Sequence, residues 1–429
     1  MKMSSNSVTI RFTTLGALHI TDGTTIYERT DYVPRDNKIY VLDLNRFFGE
    51  IDFETAEKLL DLAEKSHREY WSKVFSMISR EKHTMYELQA MNEKIFSEIV
   101  ERGPKIIPFI KCAYEGKLLP FIPGSSIKGA IRTALLYAYL KNKCNQSMIM
   151  DVISFFKGFK GRIPFNLLKE TMIRLIRGLG MHAIPDRRNS FESYELKKKL
   201  EVRKGIVKEK LEAKVKRDID KDSFSLLLFS DSKPIDVSNL KVTKIKILGI
   251  HETKHPFAEI LDENTSFEIQ ASVSHRVQLR ESAQAKNFTI IVGDVSNPWT
   301  MIVEKVKEYA RDTILLDMKI IDNILSQKQD ASYIHVKNEL QKLLNMIDKL
   351  KDNEFILPLG RFTGSVFKAI AMPLIFTCLR KDEREKIGLI LSLIFRHFGY
   401  KDVHKVFPLT RKLDEGKGKL VGWVKGEII

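Results

Sequence analysis

Two widely separated segments of this chain repeat one design: a tight turn opens an apolar helix that carries lysine one turn in. The first, residues 119–140, reads LPFIPGSSIKGAIRTALLYAYL, and the second, residues 357–376, reads LPLGRFTGSVFKAIAMPLIF. Gly364, Ser365 and Lys368 match Gly124, Ser125 and Lys128, and a Leu-Pro pair precedes each copy, Leu119-Pro120 and Leu357-Pro358. Such a repeat constrains the chain toward two related halves, each organised around a helix start.

In the first copy Pro123 and Gly124 form the turn, and Ser125 or Ser126 is placed to cap the helix by accepting from an unpaired amide. The remaining amides can face a phosphate, because a helix start carries about half a unit of positive charge. Lys128 and Arg132, four residues apart, share one face and extend that attraction. Ile127, Ile131, Leu135 and Ala138 hold a neighbouring face at helical spacing, which presses the segment into a core. Alone, the segment reads more simply as a capped amphipathic helix with solvated charges; the second copy favours an anion site. There Arg361 and Thr363 add polar reach.

Composition fits a polyanionic partner. Lys plus Arg total 71 against 55 Asp plus Glu, a formal charge of +16, with a pI near 9.4; such a chain attracts nucleic acid or an acidic membrane surface. A membrane is not expected, because MKMSSNSV lacks the apolar core of a signal peptide and no stretch approaches the roughly 18 apolar residues of a spanning helix. Cys112, Cys144 and Cys378 are widely spaced and odd in number, which fits neither a disulfide framework nor a metal knuckle and points to a reduced, cytoplasmic chain. With 429 residues and 43% hydrophobic content, two or three cores are expected.

Strands are expected at residues 8–20, where Val8, Ile10 and Phe12 alternate with Thr9, Arg11 and Thr13, and at 39–44, 224–229, 241–250 and 267–273. In 241–247, lysines alternate with Val242, Ile245 and Ile247, implying one wet basic face. Residues 53–102 lack helix breakers and read as an all-helical insertion; helices are also expected at 166–177, 299–351 and 382–398. Residues 195–222 hold 11 basic and 7 acidic side chains, the mark of an exposed helix or a loop. Asp22, Asp31, Asp36 and Asp43 read as turn formers. The tail, with Gly416, Gly418, Gly422 and Gly426, reads equally as a close approach to a nucleic-acid backbone or as a loop before an edge strand.

His251 to His255 form an HExxH match, but a strand-like run precedes it and Pro256 follows, so the helix that zinc chemistry needs is not expected. Walker, GxGxxG and GxSxG motifs are absent, and no compact acid, base and nucleophile set stands out. Neither enzymatic activity nor a metal or cofactor is therefore expected.

Taken in order, LGALHITDG, DYVPRDNKIYVLDLNRFF, PGSSIKGAIRTAL, GRFTGSVFKAI and GWVKG resemble the RAMP superfamily of CRISPR proteins. Within it they look most like the subunit that caps the backbone filament of the type III-A Csm effector complex near the crRNA 3′ end. The resemblance implies an α+β fold of two ferredoxin-like, RRM-related modules with large helical insertions. The first spans 1–250, with insertion 53–102 and charged segment 195–222; the second spans 251–429, with insertion 299–352. It implies a non-catalytic subunit that binds crRNA and supports its 3′-end maturation in antiviral defence. Gly124, Ser125, Ser126, Lys128, Arg132, Arg361, Thr363, Gly364, Ser365 and Lys368 are then the RNA-binding residues. The implied partners are crRNA and the other RAMP subunits of the Csm complex, backbone and small, with host ribonucleases as further candidates. One rival is a RAMP endoribonuclease that processes precursor crRNA. It needs a general base near the RNA-binding loops, and His19 is the candidate beside the N-terminal strand turn. A second rival, a backbone subunit that cleaves target RNA with a loop aspartate, belongs to usually much shorter chains.

Overall fold

The period-two pattern at the N-terminus sends Ile10 and Phe12 into the core and turns Thr9, Arg11 and Thr13 outward. This strand is the centre of the fold. A computed structural model describes residues 7–28, 30–142, 223–249, 255–279, 282–293, 296–326, 329–363 and 411–429. The first half contributes β1 (Ser7–Thr14), β2 (Tyr32–Arg35), β3 (Lys38–Leu42), α1 (Leu44–Glu50), α2 (Phe53–Lys65), α3 (His67–Met77), α4 (Arg80–His83), β4 (Thr84–Ala90) and α5 (Glu93–Arg102). Next come β5 (Ile106–Ile107), β6 (Lys111–Tyr114), β7 (Lys117–Pro120), α6 (Gly124–Asn142), β8 (Leu227–Phe229), β9 (Leu240–Ile247), β10 (Phe257–Leu261) and β11 (Ser266–Val273). The remainder holds α7 (Arg276–Leu279), α8 (Ala283–Val292), α9 (Pro298–Leu325), α10 (Ala331–Ile347), β12 (Glu354–Pro358), β13 (Lys412–Asp414) and β14 (Trp423–Ile428).

One sheet runs β12-β14-β1-β11-β8, antiparallel throughout. Within it, β14-β1-β11-β8 is the order of a ferredoxin-like β-α-β-β-α-β unit, with α6 between β1 and β8 and α9 between β11 and β14. Phe12 stacks on Phe267 at 5.3 Å and meets Phe355 edge-on at 5.8 Å, filling the space under α6 and α9. The second sheet runs β2-β3-β4-β9-β10-β5, and β13 pairs with β9. One apolar cluster reaches from Phe12 through Ile127 and Ile131 of α6 to Tyr32, Val41 and Ile106 of the second sheet. The fold is therefore α+β with ferredoxin-like character, and both sheets draw strands from each side of residue 250.

Several elements differ from the sequence expectation. Residues 84–90 (TMYELQA) are a strand inside the expected all-helical insertion, because β3 and β9 offer partners on both sides and sheet pairing overrides a modest helix preference. The 241–247 strand has no wet basic face. Lys244 is 5% exposed, held by Glu98 at 2.8 Å and by Glu415 at 3.6 Å. The last strand is interior, between β12 and β1. Residues 299–351 fold as expected into a helical hairpin, with Pro298 in the first turn of α9 and Asp330 capping α10. The four aspartates do shape turns: Asp22 accepts from the Thr24 amide, Asp31 from the Tyr27 amide and Asp43 from the Arg46 amide, while Asp36 sits at φ 51°. The expected helices at 166–177 and 382–398 and the charged segment 195–222 lie outside the described residues.

Candidate nucleic-acid interface

The start of α6 is built by the protein itself. Gly124 is buried, and a Cβ there would lie 2.4 Å from the Ser230 carbonyl oxygen and 2.6 Å from that of Phe229. Its amide donates to Asp231 Oδ1 at 2.8 Å, so a protein carboxylate already caps the helix. Ser125 and Ser126 stand inside the first turn rather than at the cap, with the Ser126 amide donating to the Pro123 carbonyl at 2.9 Å. Ile127, Ile131, Leu135 and Ala138 are all fully buried, as their spacing predicts. Lys128 and Arg132 are half-buried, and the Arg132 guanidinium lies 5.1 Å over the Phe224 ring.

Of the second copy, Gly364, Ser365 and Lys368 lie outside the described residues. Arg361 is exposed, whereas Thr363 is 5% exposed, its hydroxyl donating to the Gly360 carbonyl at 3.2 Å. Three distant turns meet here. The Arg361 amide donates to the His19 carbonyl at 2.9 Å, the Leu359 amide to that of Gly422 at 2.7 Å, and the Gly422 amide to that of Ala17 at 2.8 Å. Ala17, Phe362 and Val421, one from each turn, share a small core with Ile245 and Ile260. Gly360 (φ 86°) and Gly422 (φ 87°) adopt the left-handed conformation that such close crossings need. On this platform, Arg361 and Lys412 flank the Phe362 ring at 5.9 and 5.7 Å. Burial, aided by the charge of Arg361, pushes the Lys412 ammonium below its usual range. Two cations beside one ring give this partly buried platform a positive character. Sequence reading missed Lys412, because it gains its place only through pairing of β13 with β9.

His19 is fully buried. Its Nδ1–H donates to the Glu259 carbonyl at 2.6 Å, and its ring packs 5.0 Å from that of Phe362. A histidine enclosed in this way cannot reach an RNA 2′-hydroxyl. His255 is likewise structural, donating from Nε2 to the Ile247 carbonyl at 3.1 Å between β9 and β10, while residues 251–254 lie outside the described residues. Among the described residues no group of three His, Cys, Asp or Glu side chains is placed to hold a metal. No described helix is long and apolar enough to cross a membrane.

The outward face of the ferredoxin-like sheet carries Thr9, Arg11 and Thr13 beside Ser266, Glu268 and Gln270, with Arg11 bonded to Glu268 at 2.9 Å. Polar side chains satisfy one another there, and no aromatic ring among these six offers a base-stacking platform. The tail lysines are also committed. Lys417 pairs with Asp262 at 2.6 Å and Lys419 with Glu263, while the Asp414 carboxylate accepts from the Gly416 and Lys417 amides. Burial raises the Asp262 carboxyl, but Lys417 and Lys241 outweigh it and hold the group below its usual range; Glu415 is held low in the same way by Lys94 and Lys244. A carboxylate with a depressed folded pKa stabilises above its unfolded value of about 4 and loses that contribution as pH falls through the folded value. Amide protection of residues 416–420 is therefore expected to fall below about pH 4, measured by hydrogen exchange; protection unchanged at pH 3 would refute these pairings.

The family model of the RAMP superfamily matches residues 11–401. The chain belongs to the RAMP superfamily. The motifs that suggested this, PGSSIKGAIR and the three turns above, supply the α6 start and the platform around Phe362. Among solved structures, this RAMP protein resembles a chain of a Csm–crRNA–target RNA ternary complex from a type III-A CRISPR-Cas system, with TM-score 0.61, 19% identity, and coverage of 98% of this chain and 100% of that one. It also resembles Csm5 of T. onnurineus, with TM-score 0.55, 20% identity, and coverage of 96% and 99%. Both likenesses establish a shared fold. No curated protein sequence matches the chain.

Proposed function

We propose that this RAMP protein is a non-catalytic, crRNA-binding subunit of a type III-A Csm effector complex, acting in the cytoplasm and capping the backbone filament near the crRNA 3′ end. The observation that carries this reading is the end-to-end match to a chain of a Csm–crRNA–target RNA complex, which leaves almost no part of either chain unaccounted for. The formal charge of +16 supports a polyanionic partner. The burial of His19 argues against precursor cleavage, since it removes the histidine nearest the motif turns from contact with RNA.

In this reading RNA is held by its backbone at loops rather than on the sheet. Lys128, Arg132, Arg361 and Lys412 are the proposed phosphate contacts, and Gly364, Ser365 and Lys368 of the second sequence copy are proposed as further ones. Four neutralised phosphates on a single strand give a slope of about −2.8 in log affinity against log salt, at about −0.7 each. Raising salt fourfold should then weaken binding about 50-fold. Lys128→Ala with Arg132→Ala, or Arg361→Ala with Lys412→Ala, should each reduce the slope by about 1.4. Fluorescence anisotropy against salt, with two unrelated RNA sequences, checks this, and a flat salt response or strong dependence on one base would refute it. The isolated protein should leave precursor and target RNA intact with and without divalent metal; cleavage abolished by one substitution would overturn the non-catalytic assignment.

A further inference from the structure

Residues 43–83 form an appendage between β3 and β4 with its own small core. Phe47, Leu59 and Val74 are buried together there, with Trp71 and Met77 packed against them, apart from the main cluster. α2 gives this core its Leu59 side. Its opposite side carries Phe53, Glu57, Leu60 and Glu64, at i, i+4, i+7 and i+11, which form one stripe along the helix. Phe53 is 79% and Leu60 65% exposed, the two most exposed large hydrophobic side chains among the described residues. They stand about 10 Å apart along the helix axis. Scattered single exposures are ordinary, but a phenylalanine and a leucine aligned on one helix face form a patch.

The rim of that patch chooses its occupant. Glu57, Asp61 and Glu64 are all exposed, while Lys58, off the stripe, bonds Glu54 at 2.6 Å. The helix itself holds four carboxylates against two lysines in a chain of net charge +16. A phosphate backbone is repelled by such a rim, whereas a protein face with lysines or arginines around an apolar centre complements it. We infer that the α2 stripe is a protein-docking surface, seating a basic-rimmed apolar patch of a neighbouring filament subunit and making no contact with RNA. This inference rests on the subunit reading above.

The test is assembly. The full chain is co-expressed with the backbone subunits of a type III-A complex and crRNA, as wild type, as Phe53→Ser with Leu60→Ser, and as Glu57→Lys with Glu64→Lys. Both variants should keep the wild-type melting temperature and at least wild-type RNA affinity as isolated proteins, since the altered side chains face solvent. Incorporation into the affinity-purified complex should fall at least tenfold for each. Wild-type incorporation of the serine variant overturns the inference, as does a parallel loss of RNA affinity, which would make the stripe an RNA contact. Failure of the wild-type chain itself to enter the complex refutes the subunit reading instead, and this inference with it.

Discussion

Asp317→Ala is expected to lower stability by about 3–5 kcal/mol, measured by the shift in chemical-denaturation midpoint at constant slope. Asp317 lies on α9 with no solvent exposure, and Arg411, whose side chain is 4% exposed, donates from Nε to its Oδ2 at 3.0 Å. The Arg411 carbonyl in turn accepts from the Leu248 amide at 2.8 Å, so the pair ties α9 to the end of β9 just where the chain enters β13. Removing the carboxylate leaves a guanidinium buried without its counter-charge, which costs far more than an exposed pair of the same geometry. Burial pushes the Asp317 carboxyl up even though Arg411 opposes it, which says that dehydration outweighs the attraction. An intact buried pair of this kind adds little net stability, because dehydration of both charges offsets their attraction. Replacing both partners, Asp317→Leu with Arg411→Met, should recover most of the loss. A single substitution costing under about 1 kcal/mol would mean that water reaches the pair.

The parts of the fold legible in sequence are those set by local pattern. Alternation at Ile10 and Phe12 locates β1, helical spacing at Ile127, Ile131 and Leu135 locates the buried face of α6, and the helices expected over 299–351 are α9 and α10. Pattern fails where a distant element decides the outcome. Thr84 to Ala90 lacks strong strand character and is extended because β3 and β9 flank it. Lys244 looks solvated until Glu98 of α5 and Glu415 of the tail arrive to pair it, making a buried lysine tolerable. The candidate interface divides the same way. The motif turns are visible as pieces, but their hydrogen bonding to one another, the entry of Lys412 beside Arg361 and the sequestering of His19 depend on strand pairing across the whole chain.

Gly124→Val should separate the two meanings of the glycine that opens α6. If the missing side chain made room for phosphate, valine would weaken RNA binding and leave the fold intact. The contacts point elsewhere, because the space beside Gly124 is filled by the carbonyls of Phe229 and Ser230, and real Cβ atoms essentially never approach within 3.0 Å of another atom. Backbone at the end of a strand cannot swing aside as a flexible side chain does. Valine must therefore push the 120–124 segment off the loop after β8. Four hydrogen bonds join them: Gly124 amide to Asp231 at 2.8 Å, Ile122 amide to Ser232 Oγ at 2.9 Å, Ser232 amide to the Ile122 carbonyl at 3.0 Å, and Ile235 amide to the Pro120 carbonyl at 2.7 Å. At about 1 kcal/mol each, with further loss as α6 shifts in the core, the expected cost is about 3–5 kcal/mol. Lys128→Ala with Arg132→Ala should cost less than about 1 kcal/mol, since their charges are partly solvated and the Arg132 contact with Phe224 is modest. Thermal denaturation and RNA anisotropy on both variants divide the roles: valine should lower the melting temperature, and the alanine pair should lower affinity. A Gly124→Val protein that melts as wild type but binds RNA weakly would return the helix start to the phosphate and make Asp231 its displaceable placeholder.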